Sequence, residues 1–213
     1  MGNQILLLLS VCIISASTYA ASLQTVPMPS TELNAIAGHY SSAYGYVHVK
    51  PNQHSVFTDF NGRRITGIKK SDGYYYSTFK LIGFIPISLR MSLDKVNGLH
   101  RVSLNEPSNK KIVGQQFRPT PISPYWQNRL GKYRVTTISG NARITRAQIT
   151  AQDGILLIRL NNGKYAYPLV AQKPNKLVRP TIGRPQQRQM ALWPEGNALA
   201  AIIGNTRLRL DKI

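Results

Sequence analysis

Apolar and polar residues alternate in short runs along most of this chain, and helical spacing is scarce. A period of two is the mark of a strand with one face turned inward. Turn dipeptides punctuate the runs: Asn61-Gly62, Asp72-Gly73, Asn97-Gly98, Asp153-Gly154 and Asn162-Gly163. Asn-Gly and Asp-Gly supply the positive φ angles that tight hairpins need. The pattern predicts strands over 39–44, 46–50, 55–60, 63–69, 73–81, 84–92, 99–104 and 111–117 in the first half. In the second half it predicts 133–139, 143–149, 155–160, 164–170, 175–182, 188–193, 197–203 and 206–212.

The halves repeat one another. "STELNAIAGHY" from Ser30 and "SPYWQNRLGKY" from Ser123 align at an offset of 93, matching Leu33 with Trp126, Gly38 with Gly131 and Tyr40 with Tyr133. Each stretch reads as a short helix. Serine offers an N-cap oxygen, and glycine ends the helix in a left-handed conformation. The tyrosine then opens a strand, and Trp126 is expected in the core. Eight hairpin-linked strands suit an antiparallel up-and-down barrel, whose closure removes the sheet edges. The predicted fold is all-β: two small barrels of about eight strands in tandem, each opened by a helix that plugs one end. The expected division is a signal peptide over 1–20, a linker over 21–29, and barrel repeats over 30–121 and 122–213.

The signal peptide rests on "ILLLLSVCIISA", residues 5–16, which is apolar and uncharged, followed by small residues around Ala20. Such a run is a secretory segment with cleavage near Ala20, and it is short for a membrane span; a retained anchor is the alternative. Cys12 lies inside it, so the mature chain has no cysteine. Export without disulfides suits a bacterial periplasm or the medium outside the cell. No transmembrane span is expected in the mature chain.

Charge is the strongest compositional signal. The chain carries 27 Lys and Arg against 8 Asp and Glu, a formal net charge of +19. The first repeat contributes +7 and the second +12. Such an excess favours polyanionic partners: lipopolysaccharide, anionic lipid, cell-wall polymers, acidic glycans or released nucleic acid. Solubility alone is the competing explanation.

One motif invites an enzymatic reading. Ser77-Thr78-Phe79-Lys80 spells S-x-x-K, the nucleophile signature of penicillin-binding serine hydrolases. That chemistry needs a helix, where residues three apart share a face. Here the segment follows an Asp-Gly turn and is built of β-formers, and a strand sends such positions to opposite faces. Neither S-D-N nor K-T-G follows. The four histidines, His39, His48, His54 and His100, are scattered among sparse acids and read as packed or surface residues. No catalytic residue, metal site or cofactor is assigned.

Two sets of side chains are candidates for binding. The segment "KLVRPTIGRPQQRQ" carries Lys176, Arg179, Arg184 and Arg188, and Arg143 and Arg146 on a neighbouring strand extend it. Arginine forks suit phosphate or carboxylate. Arg159, Arg207 and Arg209 lengthen a basic stripe if alternation points them outward. The second set is aromatic: Tyr74, Tyr76 and Tyr46, whose amphipathic rings suit either a ligand surface or packing.

The "IAGHY" and "LGKY" motifs, the "DGILLIRLNNGKYAYPLV" meander and the closing "GNTRLRLDKI" resemble the lipocalin-like accessory β-barrels of β-lactamase-related serine hydrolases and D-aminopeptidases. The resemblance covers nearly all of residues 30–213 and implies an accessory, non-catalytic module without its hydrolase. The functional expectation is an exported binding protein for an anionic or amphipathic ligand of the envelope or host. A module that docks on a separate serine hydrolase is the alternative, and an S-x-x-K hydrolase is a more remote one.

Overall fold

The structure, a computed structural model, describes residues 23–42, 45–60, 63–81, 85–106, 109–163, 165–180 and 189–213. The expected signal peptide and the Asn61-Gly62 turn lie outside these residues. Two closed antiparallel barrels of eight strands account for nearly all the rest, as the alternation predicts. No helix among the described residues is long and apolar enough to cross a membrane.

The first barrel follows helix α1 (Ser30–Ile36) and runs through β1 (Gly38–Ser42), β2 (Gly45–Pro51), β3 (Ser55–Phe60), β4 (Arg63–Lys69), β5 (Tyr75–Leu81), β6 (Ile85–Val96), β7 (Leu99–Glu106) and β8 (Asn109–Phe117). Neighbours in sequence are neighbours in the sheet, and β1 closes on β8 with His39 opposite Phe117. The second follows α2 (Pro124–Gln127) and comprises β9 (Gly131–Ser139), β10 (Arg146–Gln152), β11 (Ile155–Leu160), β12 (Ala166–Lys173), β13 (Lys176–Val178), β14 (Met190–Glu195), β15 (Ala198–Ile203) and β16 (Thr206–Lys212). There β16 closes on β9, with Leu210 opposite Val135.

The turns show why these strands stop where they do. Asn97 and Gly98 both have positive φ (51° and 76°), as do Asp153 and Gly154 (51° and 74°). These are the two-residue loops whose twist matches the flanking strands. The expected Asn162-Gly163 turn is displaced by one residue. Asn161 and Asn162 take the positive φ values (49° and 54°), and the Gly163 amide donates to the Leu160 carbonyl at 2.7 Å.

Both helices form where expected but are capped differently. Ser30 is the first helical residue of α1, and Pro29 holds the N-cap position. Ser123 does hold the N-cap of α2, yet its side chain makes no capping bond. Neither helix ends in a left-handed glycine: α1 leaves through an extended Ala37 and α2 through an αR Asn128. Gly38 and Gly131 have φ of 129° and 138° and open the first strand of each barrel. A side chain is disfavoured there, so the repeated glycine serves the strand entry instead.

The second barrel is filled by its own side chains. Tyr133 and Val135 of β9, Ala147 and Ile149 of β10, Leu156 and Ile158 of β11, Leu192 of β14 and Leu208 and Leu210 of β16 form one buried cluster. Trp126 of α2 joins it, 1% exposed, and its indole N–H donates to the Pro174 carbonyl at 3.2 Å. The expected plug is therefore an aromatic one. In the first barrel, the buried described positions include many hydroxyls: Tyr40, Tyr75, Tyr76, Ser41, Ser42, Ser55, Ser77 and Ser103. The Ser41 and Ser103 hydroxyls have no hydrogen-bond partner among the described residues.

These packing differences predict opposite responses to truncation. Leu192→Ala removes a side chain that is 0% exposed and should cost about 2–5 kcal/mol. Ser103→Ala removes an unpaired buried hydroxyl and should be neutral or stabilising by up to about 1 kcal/mol, since an unsatisfied buried polar group is costly. Denaturant midpoints of the two variants check both signs.

Candidate anion-binding face

The filled interior of the second barrel determines what its outside presents. With Tyr133, Val135, Ala147 and Ile149 in the core, alternation sends Lys132, Arg134, Arg146 and Gln148 to the other face. The same logic turns Arg159 of β11 and Arg207 and Arg209 of β16 outward, because Ile158, Leu208 and Leu210 are core. Lys132, Arg134, Arg146, Arg159, Arg207 and Arg209 are all exposed. Register then assembles them on four adjacent strands. Arg134 lies directly opposite Arg146, Lys132 opposite Gln148, and Gln148 opposite Arg159.

Between β9 and β10 this face is indented by a cleft of about 610 Å³. Lys132, Arg134, Arg146, Thr145, Gln148 and Asn162 line it, with Ile213 as an apolar wall. Acidic residues near the face are engaged elsewhere. Asp211 sits opposite Arg134 in register, but its carboxylate accepts from Arg209 Nε at 3.0 and 3.3 Å. Glu195 accepts from Arg207 at 2.6 Å. The side chains of Lys132, Arg134, Arg146 and Arg159 form no ion pair with a described residue.

Asn161 positions the entry to the cleft. Its side-chain oxygen accepts from the backbone N–H of Thr145 (2.8 Å) and of Arg146 (3.3 Å), and its NH₂ donates to the Arg143 carbonyl at 2.6 Å. One amide thus ties residues 143–146 to the β11–β12 turn. This explains why β10 starts at Arg146 rather than at Arg143, as the sequence pattern predicts. Arg143 is exposed in the preceding segment and does not line the cleft.

The predicted basic set is not one site. Lys176 opens β13, three strands from β10 around the barrel, and pairs in register with Lys173. The predicted strand over 175–182 is only Lys176–Val178. Arg179 stacks its guanidinium 4.4 Å from the centre of the Tyr167 ring. Arg184 and Arg188 lie outside the described residues. Lys132 and Arg134 belong to the cleft, and the sequence reading did not single them out. The signal was there in "GKYRV": once Tyr133 is placed in the core, both flanking cations face out.

The aromatic candidates do not converge either. The Arg90 guanidinium lies 3.6 Å from the centre of the Tyr74 ring. Tyr76 donates its hydroxyl to Asp72 at 2.6 Å, and the same carboxylate caps the Tyr74 amide at 3.1 Å. These groups close the β4–β5 turn among themselves. Tyr46 is on β2, buried, with its hydroxyl 2.8 Å from His39 Nδ1. As for the S-x-x-K, Ser77 and Lys80 both lie on β5, and Ser77 is 2% exposed. The helical geometry that would pair them is absent. No group of three or more His, Cys, Asp or Glu gathers among the described residues.

One acid–base cluster remains, in the first barrel. Glu32 of α1 accepts from Lys69 Nζ of β4 and from the Tyr75 hydroxyl of β5, each at 2.5 Å. The segment before α1 is tied to the same region: Val26 N donates to Lys69 O at 3.1 Å and Ser71 N to Gln24 O at 2.9 Å. Desolvation pushes the Glu32 carboxyl up, but the hydrogen bonds from Lys69 and Tyr75 and the charge of Lys69 outweigh it and hold the group below its ordinary value. With every oxygen occupied, the cluster reads as a latch between helix and sheet. No protein family, curated protein or solved structure matches the chain.

A carboxyl whose folded pKa is depressed stabilises above its unfolded value, and that stability is lost as pH falls through the folded one. Thermal midpoints of the wild type should therefore drop as pH is lowered below the ordinary Glu value of 4.5. Glu32→Gln should lower the midpoint at pH 7 and flatten that acid limb. An unchanged acid limb would show that the latch contributes nothing.

Proposed function

We propose that this chain is an exported, non-catalytic β-barrel protein that binds an anionic ligand of the cell envelope or host. The binding surface is the outer face of β16, β9, β10 and β11. The observation that carries the reading is the Arg134–Arg146 pair. Two cations stand directly opposite each other across strands, and neither forms an ion pair with a described residue, since Asp211, in register with Arg134, is turned to Arg209. Like charges in that position destabilise a sheet, so a solvated face would gain nothing from the placement. A polyanion would gain from it twice, by pairing with both groups and by relieving their repulsion. The overall charge of +19 adds a long-range field that speeds encounter with such partners. The expectation of export rests on the apolar N-terminal run alone.

The test is retention on immobilised heparin and co-sedimentation with vesicles containing phosphatidylglycerol. Both should weaken steeply between about 50 and 500 mM salt, as the Debye length contracts. Combined Lys132→Gln, Arg134→Gln, Arg146→Gln and Arg159→Gln should reduce affinity at least about tenfold at the lower salt, with the fold intact by circular dichroism. Binding that ignores salt, or none to either surface, would overturn the proposal.

A further inference from the structure

We infer that the β9–β10 cleft is a phosphomonoester site, in which Arg134 and Arg146 grip a terminal phosphate from two sides and Lys132 adds the third charge. The inference rests on the reading of this face as an anion-binding surface and names the anion. Directly opposed residues of an antiparallel pair bring their Cβ atoms to about 4.5–5.5 Å. Two guanidinium groups rooted that closely can both fork onto one tetrahedral anion, a geometry that suits arginine.

Charge selects among anions. Lys132, Arg134 and Arg146 line one cleft, and Asp211, the carboxylate in register with Arg134, is turned to Arg209. A carboxylate, a sulfate ester or a phosphodiester brings about one negative charge. A phosphomonoester brings about 1.5–2 at pH 7, with its second ionisation near pH 6. It therefore comes closer than those anions to balancing the three cations of the cleft. The uncharged lining then speaks to what carries the phosphate. Gln148 and Asn162 offer amides, and Ile213 an apolar wall. A volume of about 610 Å³ falls in the range that holds a small ligand. Together these suit a phosphorylated sugar or a small polar headgroup. Asn161, by fixing the Thr145 and Arg146 amides, makes the start of β10 rigid before any ligand arrives.

Calorimetry with inorganic phosphate, glucose 6-phosphate, glucose 6-sulfate and glucuronate tests the chemistry. Glucose 6-phosphate should bind at least about tenfold more tightly than the sulfate or the uronate. Its affinity should fall about tenfold between pH 7.5 and pH 5.0 as the dianion is protonated. The charged side chains on the outer face of β16, β9, β10 and β11, among the described residues, are Lys132, Arg134, Arg146, Arg159, Arg207, Arg209 and Asp211. None is a histidine, so the pH response reports the ligand.

Arg134→Gln and Arg146→Gln should each weaken glucose 6-phosphate at least about tenfold. In phosphate-free buffer they should leave the melting temperature unchanged or raise it by roughly 1–5 °C, because a cross-strand repulsion is removed. Lys176→Gln, on β13 three strands from β10 around the barrel, should leave glucose 6-phosphate binding unaltered. Vesicles distinguish the source of the group. A preference for phosphatidic acid over phosphatidylglycerol, competed by glucose 6-phosphate, assigns a lipid headgroup. Binding of the sugar phosphate with no such preference assigns a soluble or saccharide phosphate. Equal binding of sulfate, uronate and phosphate with a flat pH profile would overturn this inference and leave heparin binding standing. Loss of heparin binding as well would remove the parent reading too.

Discussion

Closure of the sheet is the constraint on which everything else here depends. When β1 meets β8 and β16 meets β9, every strand has two neighbours and register is fixed around the ring. A shift of one residue anywhere would exchange the inner and outer faces of that strand. In the second barrel that exchange would put Arg134 and Arg146 where Tyr133, Val135 and Ala147 now fill the core. Core packing thus enforces the cationic face: hydrophobic burial of one set of residues holds the other set in place. The energy that positions Lys132, Arg134 and Arg146 is supplied by their buried neighbours, not by bonds of their own.

The two barrels use closure differently. Buried positions of the second are almost wholly apolar, with Thr206 the exception among the described polar residues. In the first, many are hydroxyl-bearing, and much of their stability depends on partners. Tyr75 finds Glu32, Tyr76 finds Asp72, and the Ser55 hydroxyl finds Asn52 at 2.8 Å. Among the described residues, Ser41 and Ser103 find none. A core of that kind relies on specific geometry where an apolar core relies on volume. The Glu32 latch belongs to this polar logic, since it joins α1 to the sheet through a charge and two hydrogen bonds rather than through an apolar plug such as Trp126.

Strand number and order were legible because alternation and two-residue turns are local properties. Asn97-Gly98 and Asp153-Gly154 carried their own geometry in their side chains. Gly196 and Gly204 also adopt positive φ, at 61° and 58°, and make the last two hairpins. They went unnoticed because Gly precedes Asn there instead of following it. The Asn161-Asn162 turn was misplaced for a related reason: asparagine tolerates the left-handed region, so Gly163 was not needed in it. Serine at the head of α1 suggested a cap, but Pro29 already held that position. The exposed basic face was legible only in part. Arg146, Arg159, Arg207 and Arg209 follow from alternation along single strands. Grouping Arg179 with Arg146 failed because it needed the path of the chain around a closed ring, in which β13 lies three strands away.

Counting cations does not separate a binding face from a soluble one. Arg207 and Arg209 are as exposed as Arg134 and Arg146, yet each of the first two has a carboxylate within 3.0 Å. A chain selected for solubility alone gains from exposed charge wherever it falls, and opposite charges placed near it reduce internal repulsion at no cost to hydration. The few acids of the second repeat, Asp153, Glu195 and Asp211, are not distributed that way. Two of them pair with Arg207 and Arg209, and the opposed Arg134 and Arg146 form no ion pair with a described residue, although Asp211 stands in register with Arg134. The arrangement concentrates unbalanced potential in one indentation of the sheet. Repulsion between the opposed Arg134 and Arg146 costs the sheet some stability there.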